Sequence, residues 1–193
     1  MTKIHWCSGD VYLKDYINID IFGTPVKEWL KNNASNPNET TLDNYYKYPF
    51  IEDAVERRKA ARPFLIDKQA DILQPWEFAD NSVDEIVMIS CIEHFWPAEI
   101  DHIISEVKRV LKPGGKWILD FPDIVGTVMQ NAGKNDEHMI TLLYCNHKNQ
   151  YSIHHWGFTK NTFKKKFDNG FNIEFKDTVK HDYPVIGAVA TKL

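Results

Sequence analysis

An α/β fold, with a mostly parallel sheet closed by an antiparallel C-terminal pair, is predicted for this 193-residue sequence by three observations. The first is a strand–helix–strand run over residues 83–122. The second is a series of short β-prone segments upstream of it, and the third is a helix followed by two strands at the C-terminal end.

"VDEIVMIS" (83–90) reads as a buried strand entered through the turn "ADNS". In "PAEIDHIISEVKRVLKPGGKWILDFP" (97–122), Ile100, Ile103, Ile104, Val107 and Leu111 recur at helical spacing, so one helix face is buried. Pro97 suits the first turn, where its missing N–H costs nothing. Glu99 and Asp101 lie toward the positive end of the helix dipole, and Lys108, Arg109 and Lys112 toward the negative end. Pro113-Gly114-Gly115 then stops the helix and turns the chain into the strand "KWILDF". Strand, helix and strand in this order imply a right-handed parallel crossover.

Upstream, "KIHW", "YINIDI" and "QADIL" are three more short strands. Downstream, "TKNTFKKKFDNG" makes a helix with Thr159 as N-cap, Gly170 beyond its end, and Phe158 and Phe163 placed as a hydrophobic staple. "FNIEFKDTVKH" and "PVIGAVATKL" form the closing antiparallel pair. The chain is expected to be a single domain over 1–193 with two excursions from this rhythm. Residues 24–63 are helical at both ends, with a polar middle and an aromatic cluster of Tyr45, Tyr46, Tyr48 and Phe50. Residues 123–157 carry His138, Cys145, His147, His154, His155 and Trp156. Such excursions either cap a site or widen the core.

Composition narrows the function classes. With 43% hydrophobic and 26% charged residues the chain fits a soluble globular protein, and a net charge of −4 makes no general case for a nucleic-acid or membrane partner. The run Lys164-Lys165-Lys166 reads as a solvated helix face. Cys7, Cys91 and Cys145 have no paired spacing, so no disulfide framework is expected and a reducing compartment is the default. The N-terminus lacks a signal-peptide core and no run of about 18 apolar residues occurs, which predicts a cytoplasmic location. Cys145, His147, His154 and His155 lack metal-ligand spacing, and no metal is expected.

"IHWCSGDVYLKDYINID" (4–20) has the outline of strand, ligand-cradling loop, strand and terminal acid, yet holds one glycine, Gly9. Ten residues separate Gly9 from Asp20, too few for a full crossover helix. A pyrophosphate needs a glycine-rich turn and a helix N-terminus aimed at it, so the loop counts against a nicotinamide dinucleotide. A nucleoside without phosphate asks less: Gly9 permits close backbone approach, and Asp20 can accept both ribose hydroxyls.

"ADILQPWEFADNSVDEIVMISCIEHF", followed by "ISEVKRVLKPGGKWILDFP", resembles the central part of class I S-adenosylmethionine-dependent methyltransferases, nearest the methyltransferase type 11 group. The likeness is carried in order by Asp71, Pro75 with Trp76 and Phe78, Asp80/Ser82/Asp84, Glu93-His94, and Leu111/Pro113/Gly114/Gly115. Residues 4–20 fit the opening frame of that group, with Cys7 where a first glycine belongs, and "HHWGFTKNTFKKKFDNGF" is similar to its late stretch. The resemblance implies a Rossmann-like methyltransferase sheet with helices on both faces, S-adenosylmethionine as cofactor, and methyl transfer to a small-molecule or saccharide acceptor. It implies cofactor contacts from Cys7, Ser8 and Gly9, from Asp20 and Ile21, from Asp71, Ile72 and Leu73, and from Ser90, Cys91 and Ile92. His94 is implied as a catalytic base, and His154, His155 and Trp156 as substrate contacts. Cys7 in place of glycine also motivates an alternative, a degenerate cofactor-binding or partner subunit that transfers no methyl group.

Overall fold

The computed structural model describes residues 1–46, 63–145, 147 and 149–193. Seven strands build its main sheet: β1 (Lys3–Trp6), β2 (Ile17–Asp20), β3 (Lys68–Gln69), β4 (Val83–Ile89), β5 (Leu111–Pro122), β6 (Phe171–Phe175) and β7 (Val185–Lys192). Their spatial order is β3-β2-β1-β4-β5-β7-β6. β1 to β5 pair in parallel, and β7 runs antiparallel to both β5 and β6. Chain order reverses between β1 and β4, and an open parallel sheet binds ligands at the carboxyl ends beside such a reversal.

The longer helices are α1 (Pro97–Val110), α2 (Ile124–Asn131), α3 (Asp136–Tyr144) and α4 (Lys160–Phe167). Ile100, Ile103 and Val107 of α1 and Phe163 and Phe167 of α4 share one core cluster with Ile86 and Met88 of β4 and Trp117 and Phe121 of β5. Each such side chain contributes about 1.5–3 kcal/mol by leaving water. The staple forms, with the Phe158 and Phe163 rings 5.7 Å apart, and the Thr162 amide donates to Thr159 Oγ1 at 3.2 Å. Lys164 and Lys165 are exposed on the outer face of α4. On the opposite face of the sheet, Val11, Leu13, Tyr45 and Val179 cover Val87, Ile89, Ile118 and Val189.

The short passage from β1 to β2 is held by one amide. Asn18 Oδ1 accepts from the Leu13 amide at 2.8 Å, and its Nδ2 donates to Leu13 O and Tyr16 O at 3.0 and 3.1 Å. These bonds satisfy backbone groups that a helix would otherwise pair internally.

Several boundaries differ from the sequence reading. α1 ends at Val110, and Pro113-Gly114-Gly115 lies inside β5 as a bulge: pairing with β4 skips from Val83↔Leu111 to Glu85↔Lys116. Gly114 sits at φ 76°, and a β-carbon on Gly115 would stand 2.8 Å from Lys112 O. Of "QADIL" (69–73) only Gln69 is in a strand, the two-residue β3, because Asp71 turns the chain: its Oδ1 accepts from the Leu73 amide at 2.9 Å and its O from the Gln74 amide at 3.1 Å. β6 stops at Phe175, since Thr178 and His181 leave the sheet to bond Asp120.

Of the first excursion, Tyr48, Phe50 and the second helical end lie outside the described residues. Tyr45 is core packing, buried with its hydroxyl 2.8 Å from His5 Nε2. No helix among the described residues is long and apolar enough to cross a membrane.

Candidate active site

β1, β2 and β4 end at one cavity of about 560 Å³, a size suited to a nucleoside-like ligand. Cys7, Asp20, Ile21, Asp71, Ile72, Leu73, Ser90, Cys91, His94 and His155 all line it, although they come from five separate stretches of chain. The lining does not include Ser8, Gly9, Ile92, His154 or Trp156. Ser8 and Ile92 are buried behind the wall, and Trp156 is exposed outside it.

Asp20 is oriented by the loop it faces. The Gly9 amide donates to its Oδ2 at 2.9 Å, and the Phe22 amide to its Oδ1 at 3.2 Å. Each oxygen keeps acceptor capacity, so a vicinal diol could bond there as well. Asp71 spends Oδ1 on its own turn and keeps Oδ2.

The lone glycine of the loop is explained by its neighbours. Gly9 adopts φ 54°, but Cys7 at φ 56° and Ser90 at φ 46° adopt left-handed conformations too. That conformation costs a non-glycine residue roughly 1–3 kcal/mol, and such strain concentrates at ligand sites. Ser90 is held there by its amide, which donates to Asp120 Oδ1 at 2.9 Å. Cys7 is tied to Cys91 by a disulfide, with the two Cα atoms 6.1 Å apart. This corrects the expectation that no cysteines pair. The partners are 84 residues apart in sequence, but β1 and β4 are adjacent strands and deliver both to one spot.

Near His94 and His155 two segments meet. His155 and Trp156 donate their amides to Glu93 O at 2.9 and 3.1 Å, which docks the "HHW" stretch against the turn after β4. The His94 and His154 rings lie edge to face, 4.8 Å apart, and His155 stacks on Trp96 at 4.3 Å. Burial lowers the His94 pKa to about 4, with the charge of His154 acting in the same direction. Burial also lowers that of His154, and it holds the Glu93 carboxyl well above the usual carboxylate range, assisted by the charge of Asp120. Phe22, Phe64, Trp96 and Tyr151 rim the mouth, each about half exposed, with Phe22 and Tyr151 edge-on at 4.9 Å.

Two supporting groups escaped the sequence reading. Asp120 is fully buried and accepts from Ser90 N, Thr178 Oγ1 and His181 Nε2, each at 2.9 Å. Arg109 donates to Phe78 O, Trp76 O and Asp80 Oδ1, while Glu106 accepts from the Trp76 amide at 2.7 Å. Together they clamp the loop that follows Asp71. The hydrogen bonds that Arg109 donates to Glu106, assisted by the Trp76 amide and the charge of Arg109, keep that carboxyl below its ordinary range. An Asp inside the apolar run "WILDF" and a Glu on the buried helix face were the visible departures from pattern.

A family model described as "Methyltransferase domain" (type 11) matches residues 8–119, more than half of the chain. Solved structures agree in fold. A SAM-dependent methyltransferase from Methanosarcina mazei superposes with TM-score 0.58 at 17% identity, over all of this chain and 92% of that one. The YcgJ protein from Bacillus subtilis gives 0.53 at 12% identity, over 99% and 91% of the two chains. The PH0226 protein from Pyrococcus horikoshii gives 0.51 at 17% identity, over 100% and 83%. At these identities the likeness speaks for the fold alone; the family match runs from Ser8, in the loop after β1, to Leu119 in β5. The chain belongs to the type 11 methyltransferase domain family and is a class I S-adenosylmethionine-dependent methyltransferase.

Proposed function

We propose that the acceptor is a small molecule or saccharide, methylated at a hydroxyl or amine. The observation that carries this reading is the aromatic rim: Phe22, Phe64, Trp96 and Tyr151 offer flat apolar faces on which a sugar ring or small planar compound can rest. The net charge of −4 adds no electrostatic attraction for a phosphate backbone.

The cavity residues fit adenosylmethionine. Asp20, pre-oriented by two backbone amides, would take the ribose hydroxyls, with Ile21 beside it. The remaining Asp71 oxygen and the Ile72 and Leu73 backbone would take adenine, and Cys7, Ser90 and Cys91 would flank the methionine end. Ser8, Gly9 and Ile92 would shape that wall from behind. When bound, the cofactor supplies an activated methyl group on a sulfonium. Positioning the acceptor against it is the protein's main task. His94 lines the cavity with Nδ1 facing Ile153 O at 3.1 Å, which leaves Nε2 to accept the acceptor's proton. His155 would contact the acceptor, and His154 and Trp156 would fix the segment that carries it.

Calorimetric titration with S-adenosylhomocysteine tests the cofactor half of this reading. Micromolar binding is expected for the wild type, and a loss of at least about tenfold in Asp20→Ala, which removes two charge-assisted contacts. Unchanged affinity in the variant would exclude Asp20 from the site. The acceptor half is tested by radiolabelled methyl transfer to a panel of monosaccharides, nucleotide sugars and small phenols.

A further inference from the structure

Beside the cavity a carboxyl group and two imidazoles come together, of which only His94 lines the wall, and the methyl-transfer reading gives proton chemistry to His94 alone. Glu93 is 1% exposed, and among the described residues no group beyond its own backbone amide approaches its carboxyl oxygens as a hydrogen-bond donor. A carboxyl group buried without partners is costly, and folds retain one where something else meets it. Among the described residues no lysine or arginine pairs with it.

Both histidines are oriented for a common task. His94 Nδ1 lies 3.1 Å from Ile153 O, and His154 Nδ1 lies 3.3 Å from Leu143 O. A carbonyl oxygen only accepts, so each Nδ1 carries the proton and each Nε2 keeps its lone pair. Metal-binding histidines show this arrangement: the far ring nitrogen donates to a carbonyl or carboxylate, fixing tautomer and ring. One ligand atom from each of Glu93, His94 and His154 lies within 4.8 Å of the other two. The backbone bonds from His155 and Trp156 to Glu93 O hold the two segments in this register.

We propose that Glu93, His94 and His154 bind one divalent transition-metal ion, with an open coordination position toward the cavity. Two imidazoles and a carboxylate suit zinc, manganese, iron or cobalt, and are too few and too rich in nitrogen for calcium. The site differs from the cysteine–histidine group weighed from the sequence, sharing with it only His154. An open position beside the cavity would take an acceptor oxygen and lower its pKa. That use of the ion rests on the methyl-transfer reading; the binding itself does not. His94 Nε2 cannot be both a ligand and the acceptor's base, so the two roles are separable by experiment.

The test uses tag-free full-length protein stripped with chelator, titrated calorimetrically with Zn²⁺ and spectroscopically with Co²⁺. One equivalent of Zn²⁺ at micromolar affinity or tighter is expected, with visible Co²⁺ bands of nitrogen–oxygen coordination. Glu93→Gln and His154→Ala should each weaken Zn²⁺ binding by at least about tenfold. Asp20→Ala should bind Zn²⁺ as the wild type does while losing S-adenosylhomocysteine. S-adenosylhomocysteine binding by the Glu93 and His154 variants reports that they fold; should one of them not fold, the other and the wild-type Co²⁺ spectrum decide. Absence of stoichiometric binding by the wild type, or wild-type affinity in both folded variants, overturns the proposal and leaves His94 as the base. Failure of the wild type to bind S-adenosylhomocysteine would instead strike the cofactor reading and leave the ion untouched.

Discussion

Asp20 and Asp120 are both carboxylates near the carboxyl end of a strand, yet their surroundings assign them different roles. Asp20 faces the cavity and accepts one amide on each oxygen. Asp120 is fully buried and accepts from three donors, one of which holds Ser90 in its left-handed conformation. Removing Asp120 strands a buried amide, a hydroxyl and an imidazole at once. Asp120→Ala is therefore expected to lose about 3–5 kcal/mol in urea unfolding, the range for breaking a buried, hydrogen-bonded charge. Affinity for S-adenosylhomocysteine should fall with it, because Ser90 lines the cavity. Asp20→Ala should lose only about 1 kcal/mol of stability while losing the ligand. Wild-type urea stability in Asp120→Ala would show that the network does not support the wall. The place of Asp20 on the cavity wall was legible because it ends a strand next to the Gly9 loop. Asp120 was not: it sits inside an apolar run, and its side-chain partners lie 58 and 61 residues further along, on a stretch that reads as plain strand.

The same contrast holds between elements. Segments with a strong apolar period, β4, α1 and β7, were legible nearly to the residue because burial of one face dictates them. Boundaries failed where local chemistry overrode the period, as in the Asx-type turn of Asp71 and the bulge at Gly114 and Gly115. Pairings between elements were the least legible. Cys7 and Cys91 have unremarkable spacing, and only the neighbouring positions of β1 and β4 in the sheet join them. The bond fastens the cofactor loop to the turn after β4, closing an 84-residue separation. Purified without reductant, the native protein should therefore alkylate at one cysteine, Cys145, and at all three after reduction and unfolding. Reduction, or Cys91→Ser, should lower unfolding stability by about 2–4 kcal/mol. Alkylation of three thiols in unreduced, unfolded protein, counted by mass spectrometry, would contradict the pairing.

At the scale of the whole molecule, strand order explains how residues as distant as Cys7, Asp71 and His155 share one cavity, and the motif order along the chain already implied that convergence. What lay beyond the sequence was how the second face of the sheet is secured, and there His5 is decisive. It points into the cluster opposite α1, with Nδ1 donating to Asn18 Oδ1 at 2.9 Å and Nε2 accepting from the Tyr45 hydroxyl at 2.8 Å. Asn18 in turn fixes the β1–β2 passage, so one imidazole links loop, strand and excursion. Burial lowers the His5 pKa from 6.5 to about 4, against the smaller opposing effect of the Asn18 bond. The sign follows directly: above pH 6.5 the ring is neutral in both folded and unfolded chains, and its contribution is intact. Between pH 6.5 and 4 the unfolded chain takes up a proton that the folded chain refuses, so stability falls as pH falls. The loss attributable to His5 approaches about 3 kcal/mol by pH 4. His94 shifts over the same window, so the difference between proteins is the informative quantity. Urea unfolding of the wild type and His5→Gln from pH 7.5 to 4.5 should give curves that converge on acidification, since the variant lacks this titration. Parallel curves would mean that the proton uptake belongs to other groups and that His5 is held by packing alone.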